Sequence, residues 1–89
     1  MKKGSCFKIY GRVQGVGFRF YTKKKANELG LSGYVKNMRD GSVYVEAEGS
    51  EEKMDEFSLW IHHGPEWARV DDVQIQTKPL QDVEGFTIN

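Results

Sequence analysis

Residues 13–19 read Val13-Gln14-Gly15-Val16-Gly17-Phe18-Arg19, and the rest of the chain is organised around this loop. Its two glycines permit backbone conformations in which successive peptide N–H groups point toward one place. Arg19 stands where a helix is predicted to begin, so its guanidinium, the positive end of the helix and the loop amides converge. The loop therefore predicts a phosphate-binding site, which we interpret as the active site.

The segments that flank the loop predict a strand and a helix. In residues 6–12 apolar and polar side chains alternate, which is typical of a strand with one buried face. Gly30 is placed to end the helix in a left-handed cap. The residues that recur at three- and four-residue steps along one side of this predicted helix are Phe18, Tyr21, Thr22, Ala26 and Leu29.

The next residues predict a hairpin and a second helix. Residues 33–37 and 42–48 are the expected strands, and the Asp-Gly pair at 40–41 is a strong turn signal. Ser50 is a suitable N-cap for the helix that follows. The predicted buried stripe of that helix is Met54, Phe57, Trp60 and Ile61.

Two further strands complete the predicted fold. Val73 and Ile75 indicate one strand, and Phe86 and Ile88 indicate a short terminal one. Because each helix is amphipathic and each strand has one apolar face, both helices are expected to cover the same side of one sheet. We therefore predict an α+β fold in a single domain of residues 1–89. It is a ferredoxin-like βαββαβ sandwich, an antiparallel sheet with two helices on one face.

The composition limits the classes of protein that the chain can belong to. A domain of 89 residues has little room for an internal cofactor. The single cysteine, Cys6, excludes an intrachain disulfide, and no Cys or His spacing matches a structural zinc site. No apolar run is long enough to cross a membrane, and the first residues lack the apolar segment of a secretory signal. We expect a soluble, cytoplasmic protein without a metal or cofactor.

The charges divide along the sequence. Residues 1–39 contain ten Lys and Arg residues and one acid, Glu28, a net charge of +9. Residues 40–89 contain three bases and twelve acids, a net charge of −9. This asymmetry suggests that the N-terminal half meets an anion. The alternative is that the two halves interleave in the fold and that their charges intermix.

The residue types of the loop restrict its chemistry. Residues 13–19 contain no Ser, Cys, His, Asp or Glu, which disfavours a covalent intermediate or a general base from the loop. They also lack the Lys that a Walker loop places before Ser or Thr, and no acidic cluster is offered to magnesium. Such a site suits a phosphate whose leaving group departs unprotonated, as a carboxylate does, since its conjugate acid has a pKa of about 4. Acyl phosphates fit, and Asn37 is a candidate to hold the attacking water.

Two long stretches resemble the signatures of the acylphosphatase family. Residues 9–19, Ile-x-Gly-Arg-Val-Gln-Gly-Val-Gly-Phe-Arg, look like the first signature. Residues 33–43, Gly-Tyr-Val-Lys-Asn-x-x-x-Gly-Ser-Val, followed by Gly49, resemble the second. The resemblance covers nearly the whole chain. It implies a ferredoxin-like fold and the hydrolysis of acyl phosphates to a carboxylate and inorganic phosphate, without metal or cofactor.

The resemblance also implies roles for individual residues. Arg19 would bind the phosphate, and Asn37 would orient the nucleophilic water. Phe20, where the family often has a polar residue, is expected to bear on the surface and not on the chemistry. We expect a monomer that acts on a small acyl phosphate and is inhibited by inorganic phosphate, with no nucleic acid or membrane as partner. The amides that would bind the phosphate belong to Gln14, Gly15, Val16, Gly17, Phe18 and Arg19.

Two alternatives remain open. One is a non-catalytic phosphate-binding module, like the acylphosphatase-like domains of larger maturation enzymes, although the presence of both Arg19 and Asn37 favours activity. The other is binding of single-stranded RNA on the open face of the sheet. The side chains that would form that surface are Lys8, Tyr10, Tyr34, Lys36 and Tyr44.

Overall fold

The computed structural model describes residues 1–89 and places two helices against one five-stranded sheet. The strands lie in the order β4-β1-β3-β2-β5, and the predicted ferredoxin-like βαββαβ arrangement is confirmed. Neither helix has the length and apolar composition that a membrane span requires. In chain order the elements are β1 (Lys2–Arg12), α1 (Phe18–Glu28), β2 (Ser32–Asn37), β3 (Val43–Ser50), α2 (Glu51–His63), β4 (Arg69–Lys78) and β5 (Phe86–Ile88).

The sheet is mixed, because the short last strand pairs differently from the others. β1 is antiparallel to β3 and β4, and β2 is antiparallel to β3, as the sequence predicts. β5, in contrast, runs parallel to β2. β4 ends at the end of the sheet where β2 begins, so a connection across that end starts β5 alongside β2 and in the same direction. As a result β1, β2 and β5 all finish at the opposite end of the sheet.

The core lies between the sheet and the helices. Helix α1 buries Phe18, Thr22 and Ala26, but Tyr21 of the predicted stripe is 42% exposed. Trp60 of the second predicted stripe is only partly buried, and its ring packs against those of Phe18 and Phe57. The buried apolar side chains are Phe7, Ile9, Val13, Phe18, Ala26, Leu29, Leu31, Val35, Val43, Val45, Ala47, Met54, Phe57, Ile61 and Phe86.

The start of α2 and the end of α1 are formed as the sequence predicts. The Ser50 hydroxyl accepts a hydrogen bond from the Lys53 N–H at 3.3 Å and caps α2. Gly30 has φ of +69°, and the Leu31 N–H donates to the Ala26 carbonyl at 2.9 Å. Leu31 is buried, so the chain turns back onto the last turn of α1 before it enters β2.

The opposite charges of the two sequence halves intermix in the fold. β1 lies between β3 and β4, so bases of the first half come next to acids of the second. The Lys3 ammonium lies 2.6 Å from the Asp55 carboxylate, and that of Lys8 lies 3.2 Å from Asp40. These pairs therefore favour the alternative that the charges of the two sequence halves intermix. Along β1, the charge division does not form two separate surfaces.

Gly33 provides a test of the β2–β3 pairing. Its φ is +141°, and a Cβ added there would overlap the Glu46 carbonyl on the neighbouring strand. Gly30 also has positive φ, but a Cβ there would meet nothing within 4 Å. We expect Gly33→Ala to lower the free energy of unfolding by at least ~2 kcal/mol more than Gly30→Ala, as measured by urea denaturation. Equal losses in the two variants would show that backbone strain alone acts at residue 33.

Candidate active site

The loop between β1 and α1 is held at both ends and left-handed in the middle. Val13 and Phe18 are buried in the core at 1% and 2% exposure, and they fix where the loop begins and ends. Gly15 and Gly17 between them have φ of +74° and +79°, a region that side-chain-bearing residues rarely occupy. Gly17 is the N-cap of α1, so the loop leads directly into the positive end of the helix.

The peptide N–H groups of the loop make no hydrogen bonds within the chain. None of those of residues 14–19 donates to a backbone or side-chain acceptor of the protein. The first internal bond of the helix is that from the Tyr21 N–H to the Gly17 carbonyl, at 3.0 Å. The donors before it belong to the loop and the first turn, where an anion can accept from several of them.

Arg19 and Asn37 open into one cavity of about 240 Å³ beside this loop. Arg19 is exposed and forms no salt bridge with a carboxylate of the chain. The side-chain oxygen Oδ1 of Asn37 is buried and accepts no hydrogen bond. Phe20, expected on the surface and apart from the chemistry, is exposed but lines this cavity. The lining is formed by Val13, Gly15, Gly17, Phe18, Arg19, Phe20, Asn37 and Ile88.

Gln14 and Val16 of the predicted set do not line the cavity, and Gln14 has a contact that the sequence reasoning missed. Its side-chain Nε2 donates to the carbonyls of Met38 and Ser42, at 2.8 and 2.9 Å. These two carbonyls belong to the turn that follows Asn37, so the Gln14 amide joins the loop of residues 13–19 to the hairpin. The sequence did show an amide side chain with two N–H donors in this loop. Its hydrogen-bond partners could not be predicted, because they lie far along the chain.

The turn after Asn37 is itself closed by several hydrogen bonds. The Met38 N–H donates to the Ser42 carbonyl at 2.8 Å. The Asp40 carboxylate accepts from the Ser42 hydroxyl and the Ser42 N–H, and Lys8 lies beside it. These contacts, that of the Ser42 hydroxyl first, lower the pKa of Asp40 to about 2. Asn37 therefore lies at the end of β2, next to a turn that these hydrogen bonds hold in place.

A second cavity, of about 210 Å³, lies between β2, β3 and the loop from β4 to β5, and its charge does not suit a phosphate. Glu46, Glu48 and Glu84 line it, and its one cation, Lys78, lies 2.9 Å from Glu46. The carboxylate of the buried Glu48 accepts hydrogen bonds from two N–H groups of that loop. Three carboxylates around one paired cation disfavour the binding of a dianion in this cavity.

Comparison with known proteins assigns the family. The acylphosphatase family model matches residues 6–88. The chain belongs to the acylphosphatase family. It is 62% identical over 68 residues to an acylphosphatase of Mannheimia succiniciproducens, a match that covers 76% of each chain. The predicted family and the prediction of an enzyme of the acylphosphatase class are thereby confirmed.

Solved structures show the same fold. The crystal structure of acylphosphatase from Bacillus subtilis matches with a TM-score of 0.95 and 33% identity, over 100% of this chain and 99% of that one. A region of full-length HypF, solved in a phosphate- and nucleotide-bound form, matches with a TM-score of 0.89 and 27% identity. The present chain covers 12% of that protein, so the acylphosphatase fold also occurs as part of a much longer chain.

The Gln14 bridge between the two loops can be tested by Gln14→Leu. The change removes both donors, at a cost of about 0.5–1.5 kcal/mol each to the free energy of unfolding. We expect a total loss of about 1–3 kcal/mol in urea denaturation, and a roughly tenfold lower kcat/KM for benzoyl phosphate because Asn37 is less well positioned.

Gln74→Leu is the control, since Gln74 is exposed on β4 and lies outside the cavity. It should change neither quantity appreciably. An unchanged kcat/KM in Gln14→Leu would show that the two loops keep their spacing without the bridge.

Proposed function

We propose that the chain hydrolyses acyl phosphates without a metal, with Arg19 and the amides of residues 14–19 holding the phosphate and Asn37 orienting the attacking water. One observation carries this proposal: Arg19, whose guanidinium forms no salt bridge, and Asn37, whose Oδ1 has no hydrogen-bond partner, line the same cavity at the N-terminus of α1. The free N–H groups of the loop supply the remaining donors.

Binding of the phosphate uses fixed dipoles and one cation. The dianion accepts hydrogen bonds from the loop N–H groups, while Arg19 can donate two parallel bonds to its oxygens. As the bond to the leaving group stretches, negative charge stays on the phosphoryl oxygens that these donors contact. Because the loop is already folded in this shape, little reorganisation accompanies the reaction.

Asn37 orients the water rather than activating it by taking a proton. The side-chain amide of Asn37 forms a hydrogen bond with the water, and an uncharged amide has no basic atom for the proton at neutral pH. The water oxygen bonds to phosphorus, and the bond from phosphorus to the carboxylate oxygen breaks. The carboxylate leaves with the electron pair, and the water proton passes to a phosphate oxygen. No acid is required, because the carboxylate departs as a stable anion.

The structure supports this proposal over the two alternatives. On the open face of the sheet the Lys8 ammonium is paired with Asp40, and Lys36 lies over the rings of Tyr34 and Tyr44. The chain's own groups thus already engage the side chains that would bind RNA. A non-catalytic module would need Arg19 to hold phosphate, but it would give no role to Asn37, which lines the same cavity.

We further propose that residues 1–89 form one domain that acts as a monomer on a small acyl phosphate. Both helices and the strands β1, β2, β3 and β5 contribute to one buried apolar cluster, and Val70 and Val73 of β4 pack against it, which is what a single folding unit requires. The cavity is complete within one chain. Inorganic phosphate, as product, offers the same dianion to the same donors, so we expect it to compete with the substrate.

Arg19→Ala tests the phosphate site. We expect a loss of at least ~10²-fold in kcat/KM for benzoyl phosphate, typical of removing a charge-stabilising donor. The assay contains a chelator, in which the wild-type protein is expected to remain active. Arg69→Ala is the control, because Arg69 is bonded to Asp71 outside the cavity. Wild-type activity in Arg19→Ala, or loss of wild-type activity on chelation, would contradict the proposed mechanism.

Asn37→Ala separates the placement of water from the binding of phosphate. We expect kcat to fall by ~10²-fold or more, while the inhibition constant of inorganic phosphate changes by less than about threefold. In Arg19→Ala, by comparison, phosphate inhibition should weaken strongly. If Asn37→Ala weakens inhibition as much as it lowers kcat, then Asn37 binds phosphate and does not orient water.

A further inference from the structure

Half of the residues around the Arg19 cavity are apolar, although phosphate needs no apolar contact. They are Val13, Phe18, Phe20 and Ile88. Val13 and Phe18 are buried in the core, where they hold the loop. Phe20 and Ile88 are different, because they are 61% and 40% exposed. These two side chains therefore present apolar surface to whatever enters the cavity beyond the phosphate.

The ring of Phe20 is fixed beside the anion-binding loop by its neighbours. It packs edge to face against the ring of Tyr21, with centroids 5.1 Å apart and an interplanar angle of 83°. The Tyr21 ring in turn lies against Gly17, where an added Cβ would come 3.3 Å from its Cε2. An exposed aromatic ring is thus supported from the loop itself and kept next to Arg19.

Ile88 is fixed on the other side of the cavity by the parallel pairing of β5. It lies opposite Val35 on β2, two residues before Asn37, and the Asn89 N–H donates to the Val35 carbonyl at 2.8 Å. The last strand thereby brings a β-branched side chain alongside Asn37. Phe20 and Ile88 enter the lining from α1 and β5, with the phosphate-binding groups between these elements.

We propose that Phe20 and Ile88 form the binding surface for the acyl group, so that the enzyme prefers acyl phosphates with an uncharged apolar, above all aromatic, acyl group over the small acetyl group. This inference rests on the proposed function. Among the apolar residues that line the cavity, Phe20 and Ile88 are the exposed ones, so they can offer contact area to an acyl group. Burying the phenyl group of benzoyl phosphate against a ring and an isoleucine is favourable, whereas acetyl offers only one methyl group.

The test compares Phe20→Ala and Phe20→Leu with the wild-type protein. We expect the ratio of kcat/KM for benzoyl phosphate to that for acetyl phosphate to fall about tenfold in Phe20→Ala, and to recover partly in Phe20→Leu. Leu59→Ala is the matched control, since Leu59 is 74% exposed on α2 and lies outside the cavity. A ratio in Phe20→Ala equal to that of the wild-type protein would overturn the inference.

A binding measurement makes the test independent of turnover. Benzoylphosphonate and acetylphosphonate keep the two acyl groups but cannot be hydrolysed at the linking bond. By calorimetry we expect the wild-type protein to bind the benzoyl compound more tightly, and Ile88→Ala to reduce that preference as Phe20→Ala does. Equal affinities for both compounds in the wild-type protein would refute the acyl surface. Retained preference without hydrolysis of either acyl phosphate would instead refute the proposed function.

Discussion

The left-handed backbone at Gly15 and Gly17 is the constraint on which the site depends. It lets the chain pass from β1 into α1 while Val13 and Phe18 stay in the core, and it leaves the N–H groups of the loop without partners inside the protein. Unpaired backbone donors are costly when buried, but Gly15, Gly17 and Arg19 of this loop are exposed and line a cavity that an anion can enter. In the proposed mechanism these free donors are the groups that bind the phosphate.

The second part of the site depends on long-range pairing. Asn37 ends β2, and its position is set by the pairing with β3, by the closed turn at Asp40 and Ser42, and by the Gln14 amide that reaches across from the loop. β5 then adds Ile88 on the far side of the same strand. Because β1, β2 and β5 all finish at the same end of the sheet, three segments that are distant in the sequence meet around one cavity.

This arrangement explains how a site without an ionisable acid or base can catalyse a reaction. In the proposed mechanism, fixed amides and Arg19 stabilise charge and Asn37 directs a water, so the chemistry relies on position and electrostatics rather than on proton transfer by a side chain. Such a site is limited to leaving groups that depart as anions. The acyl surface formed by Phe20 and Ile88 would add a choice among those leaving groups without changing the phosphate chemistry.

The sequence by itself determined the order of the elements, the start of α2, the end of α1 and the glycine-dependent shape of the loop, because periodicity, Ser50, Gly30 and the loop glycines act through near neighbours. Only the tertiary structure decided that β5 lies parallel to β2 and that Tyr21 is exposed. It also decided that Phe20 lines the cavity instead of lying on the surface away from it. It also supplied the partners of the Gln14 amide and left the Asn37 oxygen buried without one. These features depend on which strand ends come together, and local sequence patterns carry no record of contacts between segments at opposite ends of a chain.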